Sequence, residues 1–110
     1  MPQRRRTSTP APLFAALGDE NRLRLLVRLS SGPMSIAGLT EGLSITRQGV
    51  TKHLRVLAGA GLVRGSRRGK ESLWRLERNR LEEARRSLDL ISRQWEVSLA
   101  KLKLFVEEQN

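Results

Sequence analysis

From about Asn79 to Glu108 the chain contains neither glycine nor proline. Apolar residues recur there in steps of three or four: Leu81, Ala84, Leu88, Ile91, Trp95, Leu99, Leu102 and Phe105. That spacing returns a side chain to the same face of a helix at each turn, so the stretch predicts one long helix with an apolar seam and mixed charges outside it. The remainder of a 110-residue chain suffices for one domain and not for two. Pairing two identical seams gives two-fold symmetry and buries positions that one chain leaves exposed, so a homodimer is expected. Its expected interface is Leu88, Ile91, Trp95, Leu99 and Leu102, joined by Leu13, Phe14 and Leu17 from the first helix.

Ahead of this helix the chain is cut into short pieces by glycine and proline. Residues 1–10 are basic and polar and are expected to form a disordered tail, leaving 11–110 as the folded domain. Pro12 suits a first helical turn, and Gly18 ends a short helix bearing Leu13, Phe14 and Leu17. Asp19 is a good N-cap for a second helix, with Glu20 in its first turn. Its inner face is expected to be Leu23, Leu26, Val27 and Ser30, with Arg22, Arg24 and Arg28 pointing elsewhere; Gly32-Pro33 stops it. Ser35 caps a third helix carrying Ile36, Leu39 and Leu43. After the turn Ser44-Ile45, Thr46 caps a fourth, whose Val50, Leu54 and Leu57 fall at i, i+4 and i+7, ending near Gly59 or Gly61. Two short helices so close in sequence form a helix-turn-helix unit. Arg64–Arg68 and Glu71–Leu76 read as two strands around the tip Gly69-Lys70. The fold class is therefore mainly α: a winged helix-turn-helix with five helices and a small β-hairpin wing. There is no internal repeat.

The chain has no cysteine and one histidine. This excludes a disulfide framework, a thiolate zinc site and a cysteine nucleophile, and one imidazole makes no cluster within a subunit. No metal and no cofactor are expected. There is no phosphate-binding glycine loop and no Gly-x-Ser-x-Gly elbow. The carboxylates of the last helix are spaced for solvated ion pairs with arginines rather than for acid–base work. With no nucleophile, base or cofactor cradle to name, the chain is not expected to be an enzyme. Its apolar runs are too short to cross a membrane, and Arg4-Arg5-Arg6 precedes no apolar signal segment. A cytoplasmic location is expected.

The formal net charge is +10, and its placement says more than its size. Residues 1–76 hold 14 Lys and Arg against 4 Asp and Glu, whereas residues 77–110 hold 7 of each. A basic block joined to a neutral helical tail suggests a polyanion-binding module with a separate assembly element. In a helix-turn-helix the start of the second helix meets base edges of double-stranded DNA. Here that segment offers Thr46, Arg47, Gln48, Gly49, Thr51, Lys52, His53 and Arg55. Arg47 carries the planar fork that pairs with guanine O6 and N7, and Gln48 can address adenine N6 and N7. Gly49 would let the backbone approach the groove closely. His53 is expected to be a packed or phosphate-contacting residue rather than a ligand. In the wing, Arg64, Arg67, Arg68 and Lys70 would lie along the minor groove or its phosphates. Trp74 is expected to pack, and Trp95 to lie in the core or the dimer interface. Two other classes use the same basic surface: a nucleoid-type or RNA-binding protein without sequence choice, and a partner-binding module that no longer touches DNA. Neither needs Arg47 and Gln48 to read bases.

The stretch Leu17-Gly18-Asp19-Glu20-Asn21-Arg22-Leu23-Arg24-Leu25-Leu26 resembles the opening of the ArsR/SmtB family of bacterial winged-helix repressors. Thr46-Arg47-Gln48-Gly49-Val50-Thr51-Lys52-His53-Leu54-Arg55-Val56-Leu57, followed by Ala60-Gly61-Leu62-Val63, is similar to that family's recognition helix and the approach to its wing. The resemblance covers about residues 13–108. It implies a homodimer paired through its terminal helices, operator DNA, and repression relieved by a ligand or signal; no residue pattern names the inducer. Well-known members carry a Cys-x-Cys pair in the third helix and Asp and His ligands in the last. Ser35–Leu43 has no cysteine, and Asp89 stands without a histidine. The family's metal sensing is therefore not carried over. Arg93-Gln94-Trp95-Glu96 resembles a metal-independent branch whose members often repress their own operon.

Overall fold

A computed structural model describes residues 10–109 of the chain. The expected tail, residues 1–9 of it, lies outside the described residues. In chain order the elements are α1 (Ala11–Leu17), α2 (Glu20–Leu29), β1 (Met34–Ser35), α3 (Ile36–Thr40), α4 (Arg47–Gly59), β2 (Val63–Arg68), β3 (Glu71–Leu76) and α5 (Arg78–Gln109). Five helices and an antiparallel sheet make a winged helix-turn-helix.

Side-chain caps set the helix starts. Asp19 accepts a hydrogen bond from the Arg22 backbone N–H at 3.0 Å, Ser35 from Gly38 at 3.1 Å and Thr46 from Gly49 at 3.0 Å. Each satisfies one of the amide groups that a first turn leaves without a partner. Inside, Val50, Leu54 and Leu57 of α4 are fully buried against Leu13, Leu25, Leu29, Leu39 and Leu62. Truncating a leucine such as Leu54 to alanine there costs about 2–5 kcal/mol.

Several expectations need correction. Leu13 was assigned to the dimer face, but it is fully buried in the subunit's own core. Only Phe14 and Leu17 of that α1 set remain partly exposed. On α2 the buried face is Leu25, Leu26 and Leu29, whereas Leu23 and Val27 are 46% and 70% exposed and Ser30 is exposed. The helix is rotated from the expected setting because Arg22 shares the leucine face and bonds to the end of α1. Helix α3 stops at Thr40 rather than Leu43: Glu41 leaves helical conformation at φ −58° and ψ 126°, and Gly42 follows at φ +78°, completing a turn closed by the Leu43 N–H on the Thr40 carbonyl.

The wing contains one strand more than expected. In the sheet order β1-β3-β2, all pairs antiparallel, Met34 lies opposite Trp74 and Ser35 opposite Leu73, while β2 and β3 pair from Val63–Leu76 out to Arg68–Glu71. Two residues are too few to show a strand period. Trp74 packs over Gly65, where an added Cβ would stand 3.2 Å from the indole ring.

Helix α5 leaves the body after its first turns. Ala84 is its one buried residue, and Leu88, Ile91, Leu99, Leu102 and Phe105 are exposed, as is Trp95 at 62%. Trp95 is therefore not part of this subunit's core. Leu90, Val97 and Leu104, seven residues apart, form a second exposed apolar line around the helix from the seam.

Candidate nucleic-acid interface

Helix α4 divides its residues by face. The stripe Val50, Leu54 and Leu57 anchors it in the core. Arg47, Gln48, Lys52 and Arg55 are exposed on the side turned away, with Thr51 half-buried at its edge. At about 100° per residue these positions share one broad outer face. Together with Ile36 of α3, those five residues line a single open depression. The Thr51 hydroxyl donates to the Arg47 carbonyl at 2.9 Å, so it presents only its lone pairs outward.

The start of α4 carries its own positive end. Thr46 caps it, and no acidic residue lies in its first turn to offset the helix dipole. The arrangement offers a polyanion exposed N–H groups, a guanidinium, an amide and an ammonium on one surface. Gly49 is half-buried and has room inside the subunit: a Cβ there would meet Thr46 Oγ1 at 3.4 Å, ordinary contact. Nothing among the described residues demands glycine at this position.

The wing residues Arg64, Arg67, Arg68 and Lys70 are all exposed. They differ in freedom. Arg64 Nε lies 3.3 Å from Glu77 Oε1, with Arg75 Nε 3.8 Å from the same oxygen. The base of the wing is thus partly neutralised, whereas Arg67, Arg68 and Lys70 toward the tip form no ion pair among the described residues, with Glu71 the one carboxylate of the tip, opposite Arg68.

His53 faces differently from its neighbours. It is half-buried on the flank of the apolar stripe opposite to Arg47 and Thr51, with Nδ1 3.5 Å from Arg22 Nη1 and 4.0 Å from Asp19 Oδ1. Arg22 also donates through Nε to the Ala16 carbonyl at 2.6 Å and through Nη2 to Ala15 at 3.2 Å. At the other end of α4, Arg80 Nε donates to the Ala60 carbonyl at 3.0 Å. The sequence reading missed both arginines. The available signal for Arg22 was its place at i, i+3, i+4 and i+7 with Leu25, Leu26 and Leu29.

Among the described residues no group of three or more His, Cys, Asp and Glu is placed to hold a metal ion. No helix among them is long and apolar enough to cross a membrane.

Residues 17–66 match a family described as "Helix-turn-helix domain". The HTH-type transcriptional regulator Rv2034 of Mycobacterium tuberculosis is 32% identical over 81 residues, which cover 74% of this chain and 76% of that protein. The regulator NmtR of the same organism is 35% identical over 66 residues, 60% of this chain and 55% of its own length. The chain thus spans little more than half of NmtR. Among solved structures, an ArsR-like transcriptional regulator from Rhodococcus sp. RHA1 superimposes with a TM-score of 0.75 at 35% identity, covering 86% of this chain and 90% of that one. With the capped helix α4, the wing and the match over most of both chains in agreement, this chain belongs to the ArsR/SmtB family of winged helix-turn-helix transcriptional regulators.

Proposed function

We propose that the chain is a homodimeric repressor that reads promoter DNA with the start of α4 and holds the backbone with its wing. The observation that carries this reading is the outer face of α4, where Arg47, Gln48, Thr51, Lys52 and Arg55 line one open depression. Arg47 and Gln48 read bases; Thr46, Lys52 and Arg55 hold phosphates or neighbouring base edges, and Thr51 accepts from a base amino group; Gly49 keeps the helix start slim against the groove. Arg64, Arg67, Arg68 and Lys70 follow the backbone or the minor groove beside it. The exposed seam Leu88, Ile91, Trp95, Leu99 and Leu102 pairs with its copy, with Phe14 and Leu17 at its margin, so that residues 11–110 form one DNA-binding and dimerising domain. Repression follows from occupying the promoter and excluding polymerase, including at the protein's own operon. The protein works without a metal or cofactor, in the cytoplasm, and has no catalytic activity.

The test is to select fragments of the native genome on the purified protein and sequence them. The expected result is a two-fold symmetric sequence, with half-sites one helical turn apart or a multiple of it, enriched in promoters. Fragments enriched without a shared sequence would favour the nucleoid-type alternative.

A further inference from the structure

The contacts of His53 join three elements at one point. At the carboxyl end of α1 the Arg22 side chain donates to the Ala16 carbonyl and to the Ala15 carbonyl, which also accepts the Gly18 backbone N–H. The third nitrogen of the same guanidinium, Nη1, lies 3.5 Å from His53 Nδ1 on α4. A guanidinium N–H can only donate, so this contact uses the Nδ1 lone pair and leaves the ring proton on Nε2. Asp19, the cap of α2, stands 4.0 Å from the same Nδ1 and accepts the Arg22 backbone N–H at 3.0 Å. His53 is therefore backed by a guanidinium whose other two nitrogens are held by the end of α1. Around the helix it falls on the far flank of the buried Val50–Leu54–Leu57 stripe from Arg47 and Thr51, at about 100° per residue.

We propose that His53 is a positioning residue: through Arg22 it ties the middle of α4 to the end of α1, and so fixes the roll of the recognition helix without touching DNA. The proposal rests on the DNA-reading function above. Three apolar side chains along one stripe hold α4 against the core but give little directional restraint on rotation about its own axis. A polar contact on the flank supplies that restraint, because hydrogen bonds depend on angle where apolar packing does not. Rolling α4 would move Arg47 and Gln48 across the base edges they address, whereas wing cations would keep their phosphates. Loss of His53 should accordingly harm sequence preference and spare general attraction.

The test compares His53→Asn with His53→Leu, since the Asn Oδ1 takes the place of Nδ1 and can accept from Arg22, whereas Leu has the same branched shape and no acceptor. Binding is read by fluorescence anisotropy on two duplexes of equal length, one the sequence recovered by genomic selection and one its shuffled version. Circular dichroism fixes a temperature at which both variants are folded. His53→Leu should lose about tenfold on the selected duplex, His53→Asn should keep most of the affinity, and the shuffled duplex and the salt slope should match the wild type. Equal losses in the two variants, or no loss in either, would overturn the proposal. So would a fall on both duplexes with a salt slope shallower by about one, which marks a phosphate contact. A wild-type protein that does not distinguish the duplexes contradicts the function above, and NMR then decides this proposal alone. The Arg47 and Gln48 amide resonances of the free protein must shift in His53→Leu and stay near the wild type in His53→Asn; the same spectrum for both overturns it.

Discussion

Arg80 and Gly61 occupy the same space, one by filling it and the other by leaving it empty. Gly61 has a φ of +78°, and a Cβ on it would lie 3.1 Å from both Cγ and Nε of Arg80. That same Nε donates to the Ala60 carbonyl at the end of α4, so the guanidinium of α5 closes the recognition helix where the chain turns into the wing.

Gly61→Ala should therefore destabilise by more than the cost of a left-handed alanine alone, about 1–3 kcal/mol with the displacement of Arg80 added. Urea unfolding followed by circular dichroism checks this. Arg80→Ala in the same background should recover part of the loss by vacating the space. No recovery would mean that backbone strain at Gly61 accounts for the whole effect.

Asp19 ties stability to pH. Its hydrogen bond from the Arg22 backbone N–H holds the carboxyl below its ordinary value of 3.8, and burial opposes this. Because the folded value is lowered, the stabilisation is present above the unfolded value and disappears as the pH falls through the folded one. Asn is also a good cap but does not titrate in this range. Thermal melts between about pH 5 and pH 2 should thus fall less steeply for Asp19→Asn than for the wild type, and parallel curves would remove Asp19 from the acid transition.

The free-standing half of α5 makes a prediction about mass. Sedimentation equilibrium at micromolar concentration should give twice the 12.4 kDa chain mass. Ile91→Glu, which places a charge in the exposed seam, should shift the protein toward the single-chain mass. A wild-type monomer at that concentration contradicts the pairing of α5 with its copy.

Much of this architecture was legible in the residues. Val50, Leu54 and Leu57 announced the buried face of α4, Thr46 its start, and Gly69-Lys70 the tip between two strands, because each signal is local. The setting of α2 was not legible. Leu23, Leu25, Leu26, Val27 and Leu29 are nearly continuous, so several faces satisfy the helical spacing, and the choice depends on Arg22 reaching a carbonyl of another helix. The same long-range dependence hid the partner of His53, whose packing was one of the two placements expected, and the role of Arg80. Leu13 was read as surface because α1 is apolar around most of its girth; its burial depends on α2 and α4 packing over it. The seam of α5 was visible, but the second line Leu90, Val97 and Leu104 was passed over, since a strict repeat of seven is sparse beside the denser seam.

The central claim is that the start of α4 reads sequence while the wing supplies attraction. Fluorescence-anisotropy titrations of the selected and shuffled duplexes at several salt concentrations test it directly. Arg47→Ala and Gln48→Ala should each cost roughly 1–3 kcal/mol on the selected duplex and leave the shuffled one nearly unchanged. Arg67→Ala and Lys70→Ala should weaken both, with a salt slope shallower by about one for each phosphate no longer neutralised. If Arg47→Ala and Gln48→Ala instead lower both affinities equally, α4 contributes charge alone and the protein does not read sequence.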